Sequence, residues 1–217
     1  MFKNITIAID GTAASGKGTL AKSLCKEFNY AYLDTGKLYR ASALIISKEN
    51  INSKKIKDIE KVIKSFDFSK FDFFDDRLKS DEIGKLASMI SGYKELRKIL
   101  LEYQKSFAFK KHKDKKGVIL DGRDIGTVVL PQANIKFFVT ASARVRAERR
   151  WKELISLGQR TIKRHVEKDI RDRDNRDIKR TYSPLTAAPD AILLNTTNLN
   201  VNESFLLAKK YVEEYLN

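Results

Sequence analysis

Gly11 and Gly16 stand five residues apart, are separated by the small residues Thr12, Ala13, Ala14 and Ser15, and are followed by Lys17, Gly18 and Thr19. This is the G-x-x-x-x-G-K spacing of a phosphate-binding loop. Glycines let the backbone curl until successive N–H groups face one centre. The helix that follows adds its positive end, and Lys17 brings a full charge to the β- and γ-phosphates of a nucleoside triphosphate. Gly18 occupies the position where the common pattern places a Ser or Thr hydroxyl on Mg²⁺. No direct protein ligand is therefore expected, and Mg²⁺ is expected to be held through water and the bound phosphates.

Two further clusters carry charge at places where a ligand could meet it. Leu33-Asp34-Thr35-Gly36-Lys37-Leu38-Tyr39-Arg40 reads as a strand end, a helix N-cap and an arginine one turn in, which could present Arg40 to an acceptor phosphate. Asp121-Gly122-Arg123-Asp124 puts three charges into four residues after an apolar run. Such a group is hard to explain as core; for Asp124 the plain alternative is a cap on the following helix. From Arg144 to Arg180 there are 10 Arg and 4 Lys against 7 Asp or Glu. Arg149, Arg150, Arg160, Arg164, Arg171 and Arg173 spread over a helical hairpin predicted to break near Gly158. Either this hairpin closes arginines over ATP and excludes water, or i,i+4 partners such as Glu167 and Arg171 consume the charge.

These loops need a rigid frame. Ile5 to Ile9, Ala31 to Leu33, Gly117 to Asp121, Ile135 to Thr140 and Ala191 to Leu194 read as short buried strands. Helical periodicity lies between them: Leu20, Leu24 and Phe28; then Tyr39 to Ile46, with Leu38, Ala41, Leu44 and Ile45 on one face; then Ile56 to Ile63. Asp81 to His112 is helical with a break near Ser91-Gly92, and Asn202 to Leu216 closes the chain as an amphipathic helix. Strands alternating with helices predict an α/β doubly wound parallel sheet, with ligands at the carboxyl ends of the strands. Phe66, Phe68, Phe71, Phe73 and Phe74 alternate roughly with Asp and Lys between Ser65 and Ser80, which predicts a small β-hairpin or insert. Exposed, these rings would be a base-stacking platform; packed, they are a satellite core.

The 217 residues suit one domain with a small satellite. A single cysteine, Cys25, excludes an intrachain disulfide framework, and His112 and His165 add too few soft ligands for structural zinc. No apolar run reaches the length of a membrane span, and the first residues lack a secretory apolar segment, so a cytoplasmic protein without a membrane partner is expected. The net charge of +15 calls for a polyanionic partner or a lysine-rich solvated surface, and does not choose between a nucleic acid, a lipid and a phosphorylated small molecule. Cys25 is expected in the core, His112 and His165 on the surface, and Trp151 in lid-hinge packing.

Four segments, GTAASGKGT, LDTGKLYR, DGRDIGTVVLP and RDNRDIKRTYSPL, occur in the order in which they occur in the bacterial cytidylate kinases, and the chain resembles that family from Ile5 to Leu194. The resemblance implies transfer of the ATP γ-phosphoryl to CMP or dCMP with Mg²⁺. It also implies a five-stranded parallel sheet flanked by helices, with a monophosphate-binding insert at about 50–92 and a helical lid at about 150–180 within a single domain, 1–217, acting as a monomer without nucleic acid. Matched position by position, Gly11 to Thr19 hold the ATP phosphates and Lys17 meets the transferring group. Arg40 and Arg123 clamp the acceptor phosphate. Thr35, Ser88, Arg97, Asp124 and Arg180 surround the cytosine, Arg173 and Asp177 contact the ribose, and Asp121 suits the water shell of the metal. Two departures stand out: Thr35 where the family usually has Ser, and a Ser65–Ser80 segment shorter than the usual β-rich insert. A kinase for UMP or AMP, or a basic nucleic-acid-binding NTPase, are the competing readings of the residues alone.

Overall fold

Residues 5–217 are described by the structure, a computed structural model. Five strands, β1 (Ile5–Gly11), β2 (Ala31–Asp34), β3 (Gly117–Gly122), β4 (Ile135–Thr140) and β5 (Ile192–Asn195), form one sheet in the order β2-β3-β1-β4-β5. Every pairing is parallel. All the carboxyl ends therefore meet at one rim, as the alternation of strands and helices predicts.

Alternation along β1 divides the core. Ala8, with Val118 and Leu120 of β3, faces a layer made by α2 (Thr35–Lys48), α3 (Ile56–Ser65), α4 (Asp81–Ile90) and α5 (Lys94–Phe109). Ile7 and Ile9, with Ile119 and Phe137, face α1 (Lys17–Phe28) and α8 (Val201–Leu216). Every residue of β3 is buried, which is why its sequence is a continuous apolar run up to its terminal carboxylate. Gly11 closes β1 in a place no side chain can share, since a Cβ there would lie 1.9 Å from the Val139 carbonyl oxygen of β4.

The segment between Ser65 and Ser80 contains no strand, so the expected hairpin is not there. Two 3₁₀ turns, Phe68–Lys70 and Asp76–Lys79, take its place. The aspartates that gave the alternation are the reason. Asp67, Asp72 and Asp75 each accept a hydrogen bond from the backbone N–H two residues on, at 3.0, 2.8 and 2.9 Å, and fold the chain into successive turns. Phe66 packs edge-on against Phe68 and Phe71, and Phe71 against Phe73. Phe74 alone is bare, at 87% exposure, so no aromatic platform forms.

The charged stretch is a helical hairpin of α6 (Ala143–Ser156) and α7 (Lys163–Lys179), turning at Gly158 with φ 75°. Ala147, Leu154, Val166 and Ile170 form its own small core, against which Trp151 packs while its indole N–H donates to the Thr161 carbonyl at 3.1 Å. Cys25 is half-buried on α1, and His112 is half-buried beyond α5, stacked on Phe107. Among the described residues no helix is long and apolar enough to cross a membrane.

Candidate active site

The sheet's rim opens into a cleft of about 830 Å³ bounded by the phosphate loop, the start of α2, α4 and the α6–α7 hairpin. Ala13 to Thr19, Thr35, Arg40, Ser88, Arg97, Asp121, Arg123, Asp124, Arg173, Asp177 and Arg180 all line it. Residues from six parts of the chain thus converge on one space. Gly11 and Thr12 lie behind the lining; the Thr12 carbonyl accepts from Lys17 Nζ at 3.4 Å.

The loop curls tightly around its centre. Ala14 and Gly16 adopt positive φ, 57° and 90°. No side chain caps α1, so the N–H groups of its first turn remain available to an anion. From the other side α6 holds the loop: Arg146 donates to the Ala13 carbonyl at 3.2 Å and Arg149 to that of Ser15 at 3.4 Å. Arg146 also pairs with Asp174 of α7 at 2.6 Å, so loop and hairpin are tied through one buried guanidinium.

Lys17 sits deep in the cleft. Burial, with Arg123 and Arg173 nearby, pushes its ammonium down to about 7 against the opposing pull of Asp121. Asp121 moves the other way, raised by burial and by Asp34, while the Tyr32 hydroxyl donates to its Oδ1 at 3.1 Å. Asp34 caps α2, accepting from the Lys37 N–H at 3.1 Å, as its place in the sequence predicts.

Opposite the loop lies a chain of ion pairs. Arg97 Nη2 donates to Asp124 Oδ2 at 2.6 Å and Nη1 to the Ser91 carbonyl at 2.9 Å, with the Tyr39 ring 5.4 Å from its guanidinium carbon. Arg180 Nη2 lies 4.0 Å from Asp124 Oδ1. Arg97 Nε and Arg180 Nη2 are buried donors without a partner. Arg123 Nε donates to Asp177 Oδ2 at 2.9 Å, and Arg173 Nε lies 3.9 Å from the same oxygen. Burial opposes the charge on Asp177, but Arg123, Arg173 and Arg180 outweigh it and hold the carboxyl below its ordinary value. Arg173, half-buried and crowded by Arg123, is pushed down to about 9 by desolvation and by that neighbouring charge.

Arg40 Nη1 donates to the carbonyls of Leu78 and Ser80 at 2.6 and 3.2 Å, and a Cβ on Gly84 would come within 2.8 Å of its Nη2. Thr35 gives its hydroxyl to the Asp121 carbonyl at 2.8 Å. Ser88 Oγ accepts from Arg176 Nε at 3.4 Å. Of the six hairpin arginines singled out from the sequence, Arg150 and Arg173 line the cleft. Arg149 is committed to Thr196, Arg171 pairs with Glu167 at 2.7 Å, and Arg160 and Arg164 are exposed.

The helix-cap alternative for Asp124 fails. Its side chain makes no capping bond to the turn Ile125–Val129 that follows. Asp10 does this work instead, a contact the sequence reading missed; a carboxylate ending the apolar run Ile5–Ile9 was the available signal. Arg150, which pairs with Asp81 at 2.7 Å across the cleft, could not have been matched to its partner from spacing alone.

A family model described as cytidylate kinase matches residues 7–214. The cytidylate kinase of Rhodospirillum rubrum is 43% identical over 202 residues, covering 93% of this chain and 94% of the relative. That of Rhodopseudomonas palustris is 43% identical over 207 residues, 95% of each. Among solved structures, an uncharacterized protein from Eubacterium ventriosum superposes with a TM-score of 0.53 at 13% identity, covering 98% of this chain and 99% of the other, a likeness of fold alone. With the family model reaching into all five strands and across the cleft at their rim, the chain belongs to the cytidylate kinase family.

Proposed function

We propose that the protein transfers the γ-phosphoryl of ATP to CMP or dCMP, giving CDP or dCDP and ADP. One observation carries the choice of acceptor: the Asp124 carboxylate, flanked by the unpartnered buried donors Arg97 Nε and Arg180 Nη2. Cytosine offers a 4-amino donor beside the N3 and O2 acceptors. A carboxylate facing the amino group and guanidinium N–H groups facing N3 or O2 satisfy all three. Uracil would set its 4-oxo group against the carboxylate and its N3–H against a guanidinium, leaving buried polar groups unpaired.

The rest of the cleft fits phosphoryl transfer, in which the protein mainly positions groups and neutralises charge. An oxygen of the acceptor phosphate attacks the γ-phosphorus, and the bond from that phosphorus to the β–γ bridging oxygen breaks. Lys17 and the N–H groups of the loop hold the donor. Arg40 and Arg123 hold the acceptor phosphate, and Arg173 and Asp177 hold the ribose, where Asp177 would exchange its bond to Arg123 for one to a sugar hydroxyl. Among the described residues no cluster of carboxylates and imidazoles could bind a metal alone. Mg²⁺ would arrive on ATP: Asp121 faces Gly18 with one carboxylate oxygen free of Tyr32 and could take the water shell of the ion. On this reading an insert at about 50–92 and a lid at about 150–180 flank the cleft at the rim of one sheet.

An ADP-release assay with ATP and Mg²⁺ against CMP, dCMP, UMP, dTMP, AMP and GMP tests the reading. CMP and dCMP should have the highest kcat/KM. A preference for UMP or AMP would overturn the acceptor assignment.

A further inference from the structure

Asp10 ends the apolar run of β1 one residue before Gly11, and its side chain is 4% exposed. Oδ1 accepts from the Ile125 N–H and Oδ2 from the Gly126 N–H, both at 2.7 Å. Those N–H groups open the turn Ile125–Val129, and their immediate neighbours in the chain are Arg123 and Asp124, the residues assigned to the acceptor phosphate and base. Asp124 has the place of the capping residue but leaves the capping to Asp10 and spends its own carboxylate on Arg97. The other side of the turn is closed as well, since a Cβ on Gly126 would lie 3.1 Å from the Lys136 side chain and 3.4 Å from Asp10 Oδ2.

We propose that Asp10 is a positioning residue that fixes the acceptor-binding loop relative to the phosphate loop, by capping the turn in place of Asp124 and so freeing Asp124 to read the base. Strand pairing already sets Asp10 beside Gly122, but a backbone register does not fix the direction of a loop beyond the strand. The two carboxylate bonds do. In-line transfer needs the attacking and leaving oxygens aligned, and small misplacements of a reacting group lower rates steeply. Asp10 is placed to hold that alignment, because its next residue opens the donor loop and its side chain grips the acceptor loop.

The inference rests on the proposed acceptor, and its test separates the two. Asp10→Asn keeps the size but turns an NH₂ group toward one of the two N–H donors, so at most one bond survives. In Asp10→Asn the KM for CMP should rise by ~10-fold or more, the scale of one lost charge-assisted hydrogen bond. The CMP-to-UMP ratio of kcat/KM should fall with it, while the dissociation constant for ATP, measured without acceptor, stays within about threefold. Gly126→Ala crowds the same turn without touching a substrate and should show the same asymmetry at smaller size, which decides the matter if Asp10→Asn does not fold. If the ATP constant rose as far as the CMP KM, or if the thermal midpoint fell with both KM values and the base ratio unchanged, Asp10 would be a structural carboxylate and the inference would be wrong. If the unaltered enzyme did not turn over CMP, the acceptor reading would fail instead, and the same comparison with its preferred monophosphate would still judge Asp10.

Discussion

Lys17 is held in a site that works against its own charge. Its ammonium is pushed down to about 7 by burial and by Arg123 and Arg173, and ATP phosphates would raise it again. Between those two values the complex binds more protons than the free enzyme. ATP binding should therefore take up a proton near pH 7 to 8, and affinity should fall as the pH rises through that window. Titration calorimetry in buffers of different ionisation enthalpy measures the uptake, and Lys17→Met should abolish it. The same substitution should lower kcat by ~100-fold or more, the scale of losing a preorganised transition-state donor, with the fold intact by circular dichroism. At the base, Asp124→Asn should narrow the CMP-to-UMP ratio of kcat/KM mainly by losing CMP activity. Because Asp124 is paired with buried Arg97 and caps nothing, its thermal midpoint should fall through the unpaired guanidinium. The loop glycines, Lys17 and the strand-end charges were legible because their chemistry is encoded in adjacent residues. The bonds of Asp10 to residues 115 and 116 positions away were not, because only the closing of β1 against β3 creates them.

At the scale of elements, the strands were readable as apolar runs because parallel strands covered on both sides leave little room for polar residues. The helices were readable from their spacing. The Ser65–Ser80 segment was misread because period-2 alternation and a series of aspartate turns look alike in sequence; the difference lies in whether Asp faces solvent or bonds its own backbone. What those turns hold in place is aromatic. Phe68 is 5% exposed and meets Phe66 and Tyr103. Phe68→Ala should cost ~3–5 kcal/mol in urea unfolding, the range for emptying a buried aromatic site. Its effect on kinetics should fall on the acceptor, since Arg40 is anchored on the Leu78 and Ser80 carbonyls of the same segment.

Over the whole molecule, the excess of positive charge and the cleft are separable. Lys110, Lys111, Lys113 and Lys115 lie in the loop before β3, at the opposite end of the sheet from the phosphate loop, and none of them makes an ion pair among the described residues. At ~0.1 M salt charges more than ~10 Å apart are largely screened. Replacing these four lysines by glutamine should leave kcat/KM for both substrates within about twofold under those conditions, as steady-state kinetics would show. The two arms flanking the cleft differ in how they are built. Phe68, Leu78 and Ile83 share one core with Ala8, Val118 and Leu120 of the sheet, whereas the α6–α7 hairpin keeps a small core of its own. The arms should accordingly run on different clocks. In native-state hydrogen exchange, amides of α4 should open only with the sheet, while those of α7 should open earlier, in a smaller excursion that leaves the sheet closed.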